Sequence, residues 1–175
     1  MMRCSGVTVE LLVVGKLKQQ FNYIHEGVAT YLKRLAPYCK VIITELAEEP
    51  IKQGMTPEQI KHKEGERILS YLPEEAYWVA LSERGSTYTS QQFATEFWQR
   101  HPAVNQTTRG CTNRNQTRMI WIVGGSLGLA STVLDQVSWQ VSLSKLTFPH
   151  PMVRLIWAEQ LYRTFRILNN EPYHK

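Results

Sequence analysis

Short runs of apolar residues recur along the chain, and each run is closed by glycine, proline or a polar cluster. The runs are rich in valine, leucine and isoleucine, which is typical of strands buried on both faces of a sheet. Five strands are predicted: Thr8–Val14, Val41–Leu46, Tyr77–Leu81, Met119–Val123 and Ser138–Leu143. The polar, glycine-containing residues Glu83–Ser86, which follow the third run, predict a turn.

Between these runs, apolar residues recur at steps of three and four, the spacing of one helix face. Prolines and hydroxyl residues mark where such segments begin and end. Four helices are predicted: Phe21–Leu35 closed by Pro37, Pro57 to about Leu72 with a Thr56 cap, a helix through Trp98 capped by Ser90, and about Met152 to Leu168.

The alternation of apolar strands with helices indicates an α/β fold with a mostly parallel central sheet. The 175 residues suffice for one domain with a substantial core, and no linker or repeat divides them. Ligands of such sheets bind beyond the carboxyl ends of the strands. We therefore expect Leu81, Gly124 and the segment after Leu143 to lie at one edge.

Residues 101–118 interrupt this order with a polar stretch that has no periodicity. A structureless segment of this length is unusual inside a compact domain. The segment is predicted to be a loop insertion. Its arginines could contact RNA phosphates, or the loop could have no role, and the second interpretation is slightly favoured.

Charge is distributed unevenly along the chain. The net charge is +5, yet residues 45–75 hold eight glutamates, while residues 100–118 hold four arginines and no acid. A basic balance favours a polyanionic partner, although on charge alone a solvated surface is the commoner explanation.

Cysteine and histidine spacing argues against a metal site. The three cysteines are scattered without a C-x-x-C pair, and the five histidines are equally dispersed. The cysteines are typical of reduced thiols in the cytoplasm. The apolar run Val7–Val14 is shorter than a membrane span and is interrupted by Glu10, so no membrane association is expected.

Two segments carry candidate chemistry. Gly124-Gly125-Ser126-Leu127-Gly128 follows a buried strand, and its glycines allow close approach of backbone to a ligand. Its spacing is not that of the dinucleotide fingerprint, and taken alone the segment is better interpreted as an ordinary strand-to-helix turn. In Pro149-His150-Pro151, two prolines bracket a histidine directly before a long helix and fix its position. This histidine could accept a proton, or it could only cap or pack the helix.

The last helix has a polar stripe of Glu159, Arg163 and Arg166, and the first two have the spacing of an ion pair. The rest of the helix is apolar around most of its circumference. We therefore expect it to pack both on its own sheet and on a second subunit, the alternative being a central core helix in a monomer.

Taken together, these segments resemble the large-subunit ribosomal RNA methyltransferase H group of the SPOUT methyltransferases. The resemblance covers nearly the whole chain. It is carried by Val13–Lys18, Leu81, Gly124–Ser126, Ser142–His150, Arg154, Ala158–Arg163 and Tyr173–Lys175. It implies a SPOUT-type sheet flanked by helices with a C-terminal trefoil knot, although general topology rules disfavour knots.

The resemblance also implies a homodimer that binds S-adenosylmethionine and methylates N3 of pseudouridine 1915 in the helix 69 loop of 23S ribosomal RNA. By position, it assigns cofactor binding to Leu81, Gly124, Leu143, Ser144, Lys145, Leu146, Thr147 and Phe148. His150 and Arg154 become the catalytic candidates, and Tyr173 and His174 would contact the substrate. A ribosome-binding factor without turnover is the alternative, and the absent dinucleotide fingerprint disfavours an oxidoreductase.

Overall fold

The computed structural model describes residues 7–51, 53–102 and 118–173. A five-stranded sheet with the order β2-β1-β4-β3-β5 forms its centre, and every neighbouring pair is parallel. The strands are β1 (Thr8–Val14), β2 (Lys40–Leu46), β3 (Tyr77–Ser86), β4 (Arg118–Val123) and β5 (Trp139–Val141). The predicted α/β class with a mostly parallel sheet is confirmed.

Helices cover both faces of the sheet. They are α1 (Asn22–Leu35), preceded by the 3-10 turn Gln19–Phe21, then α2 (Pro57–Tyr71), α3 (Ser90–Arg100), α4 (Ser131–Leu134) and α5 (His150–Leu168). Leu35, Phe97 and Phe165 join α1, α3 and α5 to one apolar cluster around Trp121. Ile68 and Val133 join α2 and α4 to a second cluster on the other face. The sheet is therefore the middle of three layers.

The helix starts follow from their capping residues. Thr56 and Gln59 form a reciprocal capping box at α2, with Pro57 in the first turn, as the sequence predicts. At α3 the same box uses Thr89 and Gln92, so the cap is Thr89 and not Ser90. The final helix begins at His150, two residues earlier than predicted, because proline is compatible with a first helical turn.

The prediction of a turn at Glu83–Ser86 is wrong. These residues continue β3, and Ser86 accepts a hydrogen bond from the Ser142 N–H at 2.9 Å. Gly85 permits this pairing, since a Cβ there would lie 2.5 Å from the carbonyl carbon of Val141. Conversely, β5 is shorter than predicted and is limited to Trp139–Val141.

The predicted insertion falls almost entirely on residues 103–117, outside the described residues. The residues on either side of that range are fixed to β1. His101 is fully buried, with its Nε2 3.4 Å from the Thr8 carbonyl oxygen. Arg118 forms an ion pair with the buried carboxylate of Glu10. Both residues therefore hold their chain segments at the first strand.

We predict that His101 makes stability depend on pH. Burial lowers its pKa from 6.5 to about 4, so the folded protein holds the ring neutral while the unfolded chain protonates it near pH 6.5. The contribution is complete above pH 6.5 and is lost as the pH falls towards 4. It amounts to about 3 kcal/mol at 1.36 kcal/mol per pKa unit.

Chemical denaturation at pH 7.5, 5.5 and 4 would measure this contribution. His101→Gln keeps an N–H donor for Thr8 but cannot take up a proton in this range. The difference in unfolding free energy between the two proteins should shrink or reverse as the pH falls. Parallel curves for wild type and variant would contradict the prediction.

Candidate active site

The carboxyl ends of three neighbouring strands bring together segments that are distant in sequence. Leu81 of β3 is paired with Val123 of β4 and with Val141 of β5. Gly124 and the loop that starts after β5 therefore emerge on either side of Leu81. The prediction that Leu81, Gly124 and the segment after Leu143 share one edge of the sheet is confirmed.

The glycine turn after β4 is tightly folded. Gly128 donates its N–H to the Gly125 carbonyl at 3.0 Å and has a φ of 84°, a conformation that favours glycine. A Cβ on Gly124 would lie 2.7 Å from the Gly128 carbonyl oxygen. Glycine at 124 and 128 is thus required for the turn itself, and the turn presents main-chain groups at the sheet edge.

His150 connects the last helix to this turn. Its Nε2 lies 2.6 Å from the Gly124 carbonyl oxygen. Because a carbonyl oxygen only accepts hydrogen bonds, Nε2 carries a proton, and in the neutral form of the ring the lone pair lies on Nδ1. The contact thus joins a predicted catalytic residue to a predicted cofactor residue and fixes the tautomer of the ring.

Arg154 lies one turn further along α5, and its side chain is only 4% exposed. Its guanidinium donates to the Glu45 carboxylate and to the Gly15 carbonyl, at the ends of β2 and β1. Burial raises the pKa of Glu45, but the Arg154 hydrogen bond and a 3.1 Å bond from the Leu17 N–H outweigh it, so that pKa lies below its ordinary value. Arg154 therefore ties α5 to the same edge of the sheet.

The loop from Leu143 to Phe148 is shaped by its serines. The Ser142 hydroxyl donates to the Ser144 carbonyl at 2.8 Å, and the Ser144 hydroxyl accepts from the Leu146 N–H at 3.0 Å. The Leu146 side chain is 74% exposed, so an apolar surface is open to solvent beside the strand ends. Exposed apolar side chains of this kind can cover a flat aromatic ring.

An acidic cavity, not predicted from the sequence, adjoins the glycine turn. Its volume is about 280 Å³, and it is lined by Glu48, Glu49, Pro50, Ile51, Ile60, Glu64, Ser126 and Leu127. A Cβ on Gly125 would lie 2.7 Å from a carboxylate oxygen of Glu64, whose pKa is raised by burial. The excess of glutamate in residues 45–75 was the available signal, but nothing local placed it beside Gly125.

Tyr173 lies apart from these residues. Its hydroxyl donates to Glu159 at 3.1 Å, and its ring packs edge-on against Tyr162 at 4.9 Å. Glu159 is nine residues after His150, which is about 14 Å along a helix axis. Within one chain, the predicted substrate residue Tyr173 is therefore not beside His150, and the predicted His174 lies outside the described residues.

Among the described residues, no group of three or more histidine, cysteine, aspartate or glutamate side chains is arranged to hold a metal ion. No helix among them is long and apolar enough to cross a lipid bilayer. The predicted ion pair of Glu159 with Arg163 is present and faces the Tyr173 ring.

Comparison with known proteins gives matches over nearly the whole chain. A family model described as "Predicted SPOUT methyltransferase" matches residues 7–174. A protein of Listeria monocytogenes serovar 1/2a, named ribosomal RNA large subunit methyltransferase H, is 38% identical over 172 residues, which cover 97% of this chain and 100% of the relative.

Two other relatives carry the same name. The protein of Carboxydothermus hydrogenoformans is 36% identical over 170 residues, which cover 95% of this chain and 99% of the relative. The protein of Exiguobacterium sibiricum is 38% identical over the same length and shares of the two chains. Among solved structures, a chain described under "Structural insights into the 2-OH methylation of C/U34 on tRNA" aligns with a TM-score of 0.44 and 14% identity, covering 95% of this chain and 100% of that one.

Proposed function

The chain belongs to the ribosomal RNA large subunit methyltransferase H family of SPOUT methyltransferases, and we propose that this enzyme methylates N3 of pseudouridine 1915 in the helix 69 loop of 23S ribosomal RNA. S-adenosylmethionine is the proposed methyl donor. Such a substrate implies that the enzyme works in the cytoplasm, on the ribosome or its RNA.

One observation carries the proposal at the level of the site. The 2.6 Å contact between His150 Nε2 and the Gly124 carbonyl joins the proposed proton acceptor to a main-chain segment proposed to bind the cofactor. A methyl transfer requires the methyl donor and the acceptor base to be bound side by side, since alignment of the reacting atoms supplies much of the rate acceleration.

The residues at this edge fit a cationic sulfonium cofactor. Leu81, Gly124 and the loop Leu143–Phe148 (Leu143, Ser144, Lys145, Leu146, Thr147 and Phe148) offer main-chain hydrogen-bonding groups at neighbouring strand ends. The exposed Leu146 side chain offers an apolar contact for an adenine ring. The acidic cavity beside Gly125 attracts positive charge, which S-adenosylmethionine carries on its sulfonium and ammonium groups.

His150 is proposed to act on the proton of the base. N3 of pseudouridine is a weakly acidic imide, and methylation there requires the loss of its proton. When bound, S-adenosylmethionine supplies the methyl group on a sulfonium that leaves as a neutral thioether. With Nε2 bonded to Gly124, His150 presents Nδ1 as the atom that accepts the N3 proton, and solvent is the competing acceptor.

Arg154 is proposed as a second member of this machinery. The resemblance makes it a catalytic candidate, and a guanidinium could steady the negative charge that the base carbonyls carry once N3 has lost its proton. The guanidinium already binds Glu45 and Gly15, which supports a positioning role. It holds the first two turns of α5, and with them His150, against the carboxyl ends of β1 and β2.

We also propose the C-terminal trefoil knot, a homodimer and a role in substrate binding for the C-terminal residues Tyr173 and His174. Half-buried apolar residues on the first turns of α5, such as Met152 and Ile156, support a second interface. In a dimer, Tyr173 and His174 of one copy would contact the RNA held by the other. Sedimentation of the purified protein tests the dimer directly.

The proposed reaction is tested by incubating the protein and S-adenosylmethionine with 70S ribosomes, separated subunits and free 23S RNA from cells that lack this modification. Mass spectrometric mapping should find one added methyl group on N3 of pseudouridine 1915. Methylation at another nucleotide would contradict the assigned target. No product on any of the substrates would contradict the reaction.

A further inference from the structure

About half of the lysines and arginines among the described residues are neutralised by a carboxylate within the chain. The cations that lie within ion-pair distance of a carboxylate are Lys61, Lys63, Arg67, Arg100, Arg118, Arg154, Arg163 and Arg166. A paired cation adds little to the field that a polyanion meets at a distance. The unpaired cations therefore decide where such a partner is attracted.

Four of the unpaired cations lie at the carboxyl edge of the sheet. Lys16 and Lys18 directly follow β1, Arg84 lies between two β3 residues that pair with Val141, and Lys145 is in the loop after β5. All four residues are exposed, and none forms an ion pair with a carboxylate of the described ranges, although the Lys16 charge contributes to the lowered pKa of Glu45. We call these four residues the basic rim.

The part of the rim that follows β1 is held in place by its backbone. Gly15 donates its N–H to Leu46 at 2.8 Å and accepts from Arg154 through its carbonyl. Leu17 donates to Glu45 at 3.1 Å, and the Lys18 carbonyl accepts from the Phe21 N–H at 3.0 Å. The two lysines are thus carried by a fixed loop, so that little ordering is needed when they bind a ligand.

The rim borders the proposed reaction site. Lys16 is adjacent in sequence to the Gly15 carbonyl that Arg154 binds, and Arg154 is one turn from His150. The acidic cavity lies on the α2 side of the same edge, where a Cβ on Gly15 would lie 2.6 Å from Glu48. Acidic side chains therefore line the cavity at this edge, and the exposed cations of the basic rim are the groups there that attract phosphate.

We propose that the basic rim binds backbone phosphates of the RNA substrate and holds the target nucleotide over the contact of His150 with Gly124. The inference rests on the proposed function, since it takes the substrate to be RNA. Lysine contacts to phosphate carry no sequence information; they fix the register and orientation of the nucleic acid. Lys16 and Lys18 act in binding and take no part in the chemical step.

The test compares Lys16→Gln/Lys18→Gln with the matched control Lys33→Gln/Lys40→Gln. Lys33 and Lys40 are exposed and have no ion pair in the described part of the chain, but they lie near the amino edge of the sheet. Each variant loses two positive charges, and sedimentation first establishes that their oligomeric states agree. Binding to undermethylated ribosomes and KM are then measured at several salt concentrations.

We expect the rim variant to bind ribosomes about tenfold more weakly at moderate salt, with kcat at saturating substrate within about twofold of wild type. The slope of log affinity against log salt should fall by roughly 0.7 to 0.9 for each lysine removed. S-adenosylmethionine affinity in calorimetry should not change, and the control variant should follow wild type.

Equal affinities and slopes for the two variants would overturn the inference. It would also be overturned if vesicles of phosphatidylcholine and phosphatidylserine, and not ribosomes, were bound in a Lys16- and Lys18-dependent way. The binding readout separates this inference from the proposed reaction. If wild type binds ribosomes through the rim but adds no methyl group, the proposed reaction fails while the rim stands.

Discussion

Replacing His150 by alanine is expected to reduce kcat by about 10²- to 10⁴-fold, the range that a positioned acid or base usually contributes. The side chain fixes its tautomer on the Gly124 carbonyl and leaves Nδ1 to accept the N3 proton. Without it, the proton must pass to solvent. S-adenosylmethionine should still bind within a few fold of the wild-type affinity, because the cofactor segments are mostly main chain.

A second substitution separates proton acceptance from packing. His150→Gln can still donate a hydrogen bond to Gly124, but it has no basic nitrogen. If His150 accepts the proton, the glutamine variant should be nearly as slow as the alanine variant. If the histidine serves only to hold the glycine turn, glutamine should restore most of the activity, and this result would remove His150 from the chemical step.

The pH profile gives an independent readout. If His150 accepts the proton in the step that limits turnover, the pH dependence of kcat for the wild type should differ from that of both variants, which have no basic nitrogen at this position. Identical profiles for all three proteins would favour solvent as the proton acceptor.

The strands and helices were largely predictable because their signals are local. The run Thr8–Val14 is apolar and ends at a glycine with a φ of 102°, so β1 was predicted with its observed bounds. The end of β3 was not predictable, since Glu83–Ser86 are polar and become a strand only by pairing with β5. Glycine at position 85 indicates a turn in the sequence, whereas in the structure it permits close contact of β3 with Val141.

The parts of the candidate site that lie at strand ends were predictable from the sequence. The contacts between side chains distant in sequence were not. The parallel sheet alone places Leu81 beside Gly124, as the order of strands along the sequence predicts. The pairing of Arg154 with Glu45 spans 109 residues and has no local signal. The acidic cavity was equally hidden, because it requires the β2–α2 connection to fold against the glycine turn.

The contact of Arg154 with Glu45 is the basis of the second substitution for which we expect a large effect. Arg154→Ala is expected to lower kcat by about 10²-fold, because α5 loses its attachment to β1 and β2 and misplaces His150. It should also lower the free energy of unfolding by about 2 to 3 kcal/mol, since the Glu45 carboxylate and the Gly15 carbonyl lose their donor. Activity assays and denaturation at pH 7.5 measure the two effects separately.

The pH dependence of the free energy of unfolding tests whether the stability loss of Arg154→Ala comes from the ion pair of Arg154 with Glu45. The pKa of Glu45 is depressed in the folded protein, so its contribution is present above the ordinary carboxyl pKa and is lost as the pH falls through the depressed value. Arg154→Ala removes the hydrogen bond that lowers this pKa but leaves the burial that raises it. The stability cost of the variant should therefore be largest at neutral pH and smallest at acidic pH, where the Glu45 carboxyl is protonated in the folded protein too.

A double-mutant cycle with Glu45→Ala decides how Arg154 acts. If Arg154 works by fixing α5 through Glu45, each single variant should lose much of the activity, and the double variant should be little worse than Arg154→Ala. If the guanidinium instead contacts the substrate carbonyls, Glu45→Ala should free it, and the Glu45→Ala variant should keep near wild-type kcat.

Arg154→Lys gives a second readout. It keeps the positive charge, but lysine lacks the planar fork that binds both Glu45 and Gly15. Substantial rescue of kcat by lysine is therefore expected only if Arg154 stabilises charge on the substrate directly.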